Sequence, residues 1–178
     1  IEYSWSANTG RAGRMAAIRV NGRRFTVVQV SEGGESTPWG QVGNGNIVTI
    51  AGTGVWGYNG DGLPAVEAQL KNPVGIEVDD NGNVYVADLR NNRIRRIGAK
   101  DGVITTVAGV GVNGFNGDSR PAVAALLDGP YHLAFNSDGN LLFGDAANRR
   151  VRKVELATGK ISTVAGGGPA VPGNGVEA

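Results

Sequence analysis

The sequence predicts an all-β protein assembled from copies of one short unit. Thirty of its 178 residues are glycine and only 19% are charged, which is typical of a chain with many tight turns. Short runs in which apolar and polar residues alternate are each followed by a turn signal. The same motifs also return at a fixed interval, which indicates tandem repeats.

The interval between the repeats is 57 residues. The run Thr-Ile-Ala-Gly at 49–52 returns as Thr-Val-Ala-Gly at 106–109 and again at 163–166. The same shift aligns further residues: Asn59-Gly60-Asp61 with Asn116-Gly117-Asp118, Pro64-Ala65-Val66 with Pro121-Ala122-Val123, Asp88 with Asp145, Asn91 with Asn148, and Arg93-Ile94-Arg95 with Arg150-Val151-Arg152. So many coincidences at one shift leave little room for chance.

Each repeat predicts four short strands. In the first copy, Val74, Ile76 and Val78 alternate with polar or small residues, and the run 80–83, Asp-Asn-Gly-Asn, signals a tight turn. Residues 84–87 form the second strand, 93–97 a polar outer strand and 103–107 the fourth. Four antiparallel strands that stack radially form a propeller blade. We therefore predict a partial β-propeller with two four-stranded blades, at about 74–108 and 131–165, plus one extra strand at 47–51.

A long connection, from about 109 to 129, joins the fourth strand of one repeat to the first strand of the next. Long loops in compact domains are usually functional or carry structure of their own. In the equivalent segment of the first repeat, residues 64–70 predict one or two helical turns, with Asp61 as the N-cap and Pro64 in the first turn.

Three runs of the first repeat carry a family pattern: Asn-Pro-Val-Gly-Ile-Glu-Val-Asp at 72–79, Gly-Asn-Val-Tyr-Val-Ala-Asp at 82–88 and Asn-Asn-Arg-Ile-Arg at 91–95. The second repeat matches more loosely, with Pro-Tyr-His-Leu at 130–133 and Phe-Gly-Asp at 143–145. Residues 47–178 thus resemble the NHL repeat family. The resemblance implies a propeller, commonly six-bladed, that binds ligands on one face. We expect the remaining blades outside this chain.

The first thirty residues do not share the repeat. Residues 3–7, 14–20 and 25–30 predict three strands, with the hairpin pair Asn21-Gly22 between the last two. Tyr3-Ser4, Ala7-Asn8, Arg14, Ile18 and Val20, followed by Gly22, Phe25-Thr26-Val27 and Gln29, resemble the C-terminal half of a BACON-type domain. That resemblance implies part of an immunoglobulin-like β-sandwich at 1–30, in a family proposed to bind carbohydrate or mucin. The Gly-, Ser- and Glu-rich segment 31–46 is predicted to be a linker.

Polar residues that recur in both repeats have two interpretations. The set Asp88, Asn91, Arg93 and its equivalent Asp145, Asn148, Arg150 could recognise a polar ligand, or it could stabilise turns. We favour the structural role, because every blade needs it equally. Asp61 and Asp118 resemble the start of a calcium loop, but the further ligands of such a loop are missing, so a cap or turn role is favoured.

The other binding candidates are weaker. His132, beside Tyr131, falls at the entry to an inner strand and could line the central channel. Trp56, Tyr58 and Phe115 lie in the connections and could stack on sugars or pin each loop to a blade. The arginines of the third strands, Arg93 and Arg150 among them, could hold phosphates, but we favour a solvated outer strand whose charges block edge-to-edge pairing.

Composition limits the possible functions. The chain has one histidine, no cysteine and a net charge of +1, so we expect no metal, no cofactor and no nucleic-acid partner. No apolar run is long enough for a membrane span. We predict a non-catalytic binding scaffold of a secreted or cell-surface bacterial protein, recognising glycan or protein. The alternative is a propeller enzyme of the lyase or lactonase type, with its metal site in other blades. RNA binding is disfavoured by the near-neutral charge.

Overall fold

The computed structural model describes residues 14–20, 23–29 and 48–167. The chain divides into two compact units, Ile1–Ile50 and Ala51–Ala178. In the first unit, β1 (Arg14–Val20) pairs antiparallel with β2 (Arg23–Gln29), and Val20 lies opposite Arg23. The two-residue interval is Asn-Gly, as the sequence predicts for a tight hairpin. The predicted strand at 3–7 and the predicted linker at 31–46 lie outside the described residues.

The second unit contains two sheets of five strands each. The first blade consists of β3 (Leu63–Pro64), β4 (Pro73–Val78), β5 (Val84–Asp88), β6 (Arg93–Ile97) and β7 (Val103–Ala108), in the order β3-β7-β6-β5-β4. The second blade consists of β8 (Arg120–Pro121), β9 (Pro130–Phe135), β10 (Leu141–Asp145), β11 (Arg150–Glu155) and β12 (Lys160–Gly166), in the order β8-β12-β11-β10-β9. The four predicted strands of each repeat are present, and the fold is all-β and propeller-like, as predicted.

Each blade has one strand more than the sequence predicts. The connection that precedes the blade returns to the blade's outer edge, where Leu63 and Pro64 pair with Ile104 and Val103 of β7. Pro121 and Arg120 pair with β12 in the same way. The connections 52–72 and 109–129 are therefore part of their blades.

The predicted helical turns are shorter than expected and are not capped by aspartate. They are 3₁₀ turns at Ala65–Glu67 and Ala122–Ala124, and the residue before each is a proline without a side-chain cap. The prediction of Asp61 as an N-cap is wrong, because its carboxylate instead accepts hydrogen bonds from Arg95 and Thr106. Proline fits the start of a turn because its φ angle is already fixed and it has no N–H to satisfy.

The extra strand predicted at 47–51 is not formed in its described part, 48–51. The segment instead leads into the first connection, where the Gly52 and Thr53 N–H groups donate to the carbonyl oxygens of Ala65 and Ala68. Gly109 and Val110 make the equivalent bonds in the second repeat. Strand pairing needs a neighbouring backbone, and none of the described strands pairs with 48–51.

The core lies between the two blades. Tyr85 and Ile94 of the first blade belong to the same buried cluster as Leu127 and Phe143 of the second. The rings of Tyr85 and Phe135 meet edge to face with centroids 5.1 Å apart, a favourable geometry for aromatic pairs.

The opposite face of the second blade is open. Val151, the equivalent of the fully buried Ile94, is 38% exposed. Val164 is 43% exposed, whereas its equivalent Val107 packs against the core cluster. We call this surface, which carries Leu142, Val151 and Val164, the trailing face.

The third strands are not solvated outer strands, so that prediction is wrong. β6 pairs with β5 on one side and with β7 on the other, and β11 is enclosed in the same way. Arg95 and Arg152 are completely buried. The outer edge is protected by β3 and β8, so the arginines are not needed to block edge pairing.

Candidate functional site

Arg95 is the centre of a buried polar cluster in the first blade. Its Nη2 atom donates to Asp61 Oδ1 at 2.9 Å and to the Gly60 carbonyl oxygen at 2.8 Å. Its Nη1 atom lies 3.6 Å from Asp88 Oδ2. Thr106 also donates to Asp61 Oδ1, at 3.0 Å. The cluster therefore joins the connection to β5, β6 and β7.

Asp88, at the end of β5, is fully buried within this cluster. Its Oδ1 atom accepts from the Lys71 backbone N–H at 2.7 Å, and its Oδ2 atom accepts from Asn91 Nδ2 at 2.7 Å. Burial raises the pKa of the Asp88 carboxyl, while the hydrogen bonds from Asn91 and Lys71 and the charge of Arg95 act in the opposite direction. Asn91 also donates to the Gly57 carbonyl oxygen at 2.6 Å, which holds the start of the connection.

Tyr58 packs against the same cluster. The guanidinium carbon of Arg93 lies 3.7 Å from the centroid of the Tyr58 ring, and that of Arg95 lies 4.9 Å away. Arg93 also donates to the Asn91 and Val110 carbonyl oxygens, at 3.1 and 2.8 Å. Cation–π contacts of this kind hold the loop aromatic on the blade.

The second blade repeats the cluster. Arg152 Nη2 contacts Asp118 Oδ1 and the Gly117 carbonyl oxygen, both at 3.1 Å, and its Nη1 donates to Asp145 Oδ2 at 3.3 Å. The remaining contacts also recur: Asp145 with the Asp128 N–H, Asn148 with Asp145 and Gly114, Thr163 with Asp118, and Phe115 with Arg150 and Arg152. Apart from the hydrogen bond from Arg93 to Val110, these contacts are internal to each blade and the connection that precedes it.

A groove of about 380 Å³ lies where the two blades meet, on the side of the connections. Its volume falls in the range of about 300–1,000 Å³ typical of small-molecule sites. We call it the interblade groove; it is lined by Lys71, Leu89, Arg90, Asn92, Asn113, Asp128 and Gly129. The Gly129 N–H donates to Asn92 Oδ1 at 3.2 Å, which joins the two walls.

The residues of the groove differ from their equivalents in the other repeat, unlike those of the arginine clusters. A shift of 57 positions places Asp128 on Lys71, Ala147 on Arg90 and Asn113 on Trp56. The other pairs are Leu89 with Ala146, Asn92 with Arg149, and Asn72 with Gly129. The blade fold therefore requires none of these side chains, since each blade forms with a different set.

The binding residues proposed from the sequence lie elsewhere. His132 is exposed in a bulge of β9, with a positive φ of 42°, and its ring meets the Tyr131 ring edge to face at 4.2 Å. Trp56 is 69% exposed in the first connection. Tyr58, Phe115, Arg93 and Arg150 belong to the arginine clusters. None of these residues lines the interblade groove.

Sequence reasoning missed the lining residues of the groove, and a signal was available. Comparison of the two repeats gives the positions at which they differ, and several of these positions meet between the blades. The buried Arg95 and Arg152 and the half-buried Thr106 and Thr163 were also missed as members of the clusters, although their recurrence at 57 residues marks them. Within the described ranges, no three His, Cys, Asp or Glu side chains are grouped so that they could hold a metal ion.

Similarity to known proteins agrees with this architecture. The sequence profile of the Teneurin NHL domain matches residues 43–115. Mouse Teneurin-1 is 36% identical over 128 residues, which cover 60% of this chain and 4% of that protein. The repeats form an NHL-repeat propeller segment. The NHL segment is also similar to the Arabidopsis thaliana protein SUPPRESSOR OF QUENCHING 1, chloroplastic, with 31% identity over 104 residues, or 58% of this chain and 10% of that protein.

A solved structure supports the same fold for the NHL segment. A protein of unknown function from Bacteroides thetaiotaomicron aligns with a TM-score of 0.51 and 28% identity, over 58% of this chain and 26% of the other. The chain thus spans about a quarter of that protein and a tenth or less of the two curated relatives. None of the helices in the described part of the chain has the length and apolar character of a membrane span.

Proposed function

We propose that this chain forms part of a non-catalytic binding scaffold in a secreted or cell-surface bacterial protein. The scaffold recognises a glycan or a protein through the propeller face and its loops. The observation that carries the proposal is the interblade groove, whose lining residues all differ between the repeats while the arginine clusters are retained. Binding residues are commonly placed on loops that a rigid scaffold positions, and here the connections and the loop after β5 form the groove.

The trailing face supports the scaffold part of the proposal. Val151 and Val164 are exposed on this face. Their equivalents in the first blade, Ile94 and Val107, pack in the core between the two blades. We propose that a further repeat, belonging to the same propeller, packs on Val151 and Val164 as the second blade packs on Ile94 and Val107.

The proposed location rests on the resemblance of residues 1–30 to a BACON-type domain. That assignment stays a prediction, as does the carbohydrate or mucin binding that it implies. The alternative of a propeller enzyme is decided by lyase and lactonase assays on the full-length protein. Turnover that disappears when an acidic or histidine side chain of another blade is replaced would overturn the non-catalytic proposal.

A glycan array with the 178-residue chain and with the full-length protein tests the binding function. Asn113→Trp fills the groove with the side chain that the first repeat carries at the equivalent position, so the fold is expected to tolerate it. Val123→Ala is the control, because Val123 is 52% exposed outside the groove. We expect glycan binding that Asn113→Trp abolishes and Val123→Ala preserves. Binding that Asn113→Trp leaves intact would exclude the groove, and uniform silence would direct the search to a protein ligand.

A further inference from the structure

We infer that the interblade groove binds the carboxylate of an acidic sugar residue. This inference rests on the proposed function and names the ligand class of the same site. It follows from the charges that line the groove, from two cationic side chains that take part in none of the ion pairs of the described residues, and from the rigidity of the two walls.

Two cationic side chains in the groove are uncommitted. Among the ion pairs of the described residues, none includes Lys71 or Arg90. By contrast, Arg93 and Arg95 donate to carbonyl or carboxylate oxygens within the fold. A guanidinium and an ammonium carried by two residues that line one groove suit a single carboxylate, since charge-assisted hydrogen bonds to it are stronger than neutral ones.

The cationic pair is specific to this groove. At the positions equivalent to Lys71 and Arg90, the second repeat carries Asp128 and Ala147. The pair is therefore not a feature that every blade needs. Together with Asp128, which also lines the groove, the lining has a formal charge of +1, which favours a ligand with one negative charge.

The other polar side chains of the groove suit the neutral part of the ligand. Asp128 offers a carboxylate, and Asn113 and Asn92 offer amide groups, all of which can bond sugar hydroxyls. The Asn92 Oδ1 atom is used by the Gly129 N–H, which leaves its Nδ2 group available to donate. Asp128 would repel a doubly charged phosphate or a run of acidic residues more strongly than a single carboxylate, and it accepts hydrogen bonds from hydroxyls. An acidic sugar therefore fits better than an acidic peptide.

The walls of the groove are held before a ligand arrives. Asn92 and Gly129 both have a positive φ, of 48° and 64°, and the hydrogen bond between them joins the first blade to the second. The backbone N–H of Asp128 is bound by the buried Asp145. A preformed site loses less freedom when it binds a ligand, which improves affinity for a small sugar.

Titration calorimetry with the 178-residue chain tests the inference. The probes are glucuronic acid and N-acetylneuraminic acid, with glucose and N-acetylglucosamine as neutral counterparts and a triglutamate peptide as the acidic peptide. We expect binding of the acidic sugars and at least about tenfold weaker binding of the neutral sugars and of the peptide.

Arg90→Ala introduces the residue of the second repeat and should weaken binding of the acidic sugars about tenfold, as expected for loss of one charge-assisted hydrogen bond. Lys100→Ala is the matched control, because it removes one exposed positive charge outside the groove and should leave the affinity unchanged. Equal weakening by both variants would show a general charge effect and would overturn the inference.

The remaining outcomes separate this inference from the proposed function. Preference for neutral glycans or for the peptide, lost in Asn113→Trp, would overturn the acidic-sugar inference and retain a binding role for the groove. Absence of binding to all five calorimetric probes would overturn the acidic-sugar inference alone, and the glycan array with Asn113→Trp would then test the proposed function.

Discussion

Replacement of Asp88 by alanine is expected to destabilise the propeller segment strongly. The substitution removes both acceptor oxygens from a site with no solvent exposure. It leaves the Lys71 N–H without its acceptor, and the Asn91 amide loses one of its two acceptors. It also removes the carboxylate 3.6 Å from Arg95 Nη1 and leaves a buried guanidinium with one acidic partner, Asp61, which is partly exposed.

Loss of one partner from a buried ion pair typically costs about 3–5 kcal/mol, because the other charge stays buried without compensation. We expect Asp88→Ala to lower the free energy of unfolding by that amount. Asp88→Asn should cost less, roughly 1–3 kcal/mol, because the amide oxygen can still accept from Lys71. Burial also raises the pKa of the Asp88 carboxyl, so its charge is itself held at a cost that the neutral amide avoids.

Urea unfolding followed by circular dichroism measures these differences, with Glu67→Ala as the control. Glu67 is an exposed acid in the same connection, and its replacement should change the free energy of unfolding by less than about 0.5 kcal/mol. A loss below about 1 kcal/mol for Asp88→Ala would refute the reasoning, since removal of the one fully buried acidic partner of Arg95 should destabilise the fold by more than that. Equal losses for the alanine and asparagine variants would show that the charge, and not the acceptor geometry, dominates.

Three further predictions follow from the same contacts. Burial raises the pKa of Tyr85 from 10.0 to about 12, so the folded state holds its proton longer than the unfolded state, and stability should fall by about 3 kcal/mol between about pH 10 and 12. Tyr85→Phe should remove this alkaline loss in urea titrations, and an unchanged slope would contradict the assignment. Tyr58→Ala should lower the free energy of unfolding by about 1–2 kcal/mol by removing two cation–π contacts, whereas Tyr58→Phe should be nearly neutral because the second repeat carries phenylalanine there. Gly109→Ala should lower the melting temperature more than Gly54→Ala: both have positive φ, but only at Gly109 would a Cβ meet a backbone oxygen, that of Asn92. Equal effects of the two glycine variants would show that backbone strain alone decides.

The repeats and most strand boundaries were predictable because their causes are local. Alternation over five or six residues, together with the Asp-Asn-Gly turn of the first repeat and the Ser-Asp-Gly turn of the second, defines the strands of a blade without reference to distant partners. The strand β3 was missed for the opposite reason. It has only two residues, too few to show a period, and it exists because Leu63 finds a partner in β7, 41 positions later.

The burial of Arg95 was missed because charge in a single sequence favours exposure. Its acidic partner Asp61 lies 34 positions earlier and reaches it only after the connection has folded back on the blade. Local reasoning assigned Asp61 to the nearest turn as a cap. Neither the exposure predicted for the third-strand arginines nor the cap role predicted for Asp61 allowed for a partner outside its own segment.

The interblade groove could not be seen as a site in either repeat alone, because its walls come from residues as far apart as Lys71 and Gly129. Stacking of the blades on the shared apolar core brings them together, while the arginine clusters hold each connection on its own blade. The tandem repeat therefore provides an internal comparison: positions that are retained at 57 residues include the contacts that every blade needs, and positions that differ are free for recognition. On this argument Arg90, which the second repeat replaces with alanine, is a better candidate for ligand binding than Arg93, which the second repeat retains.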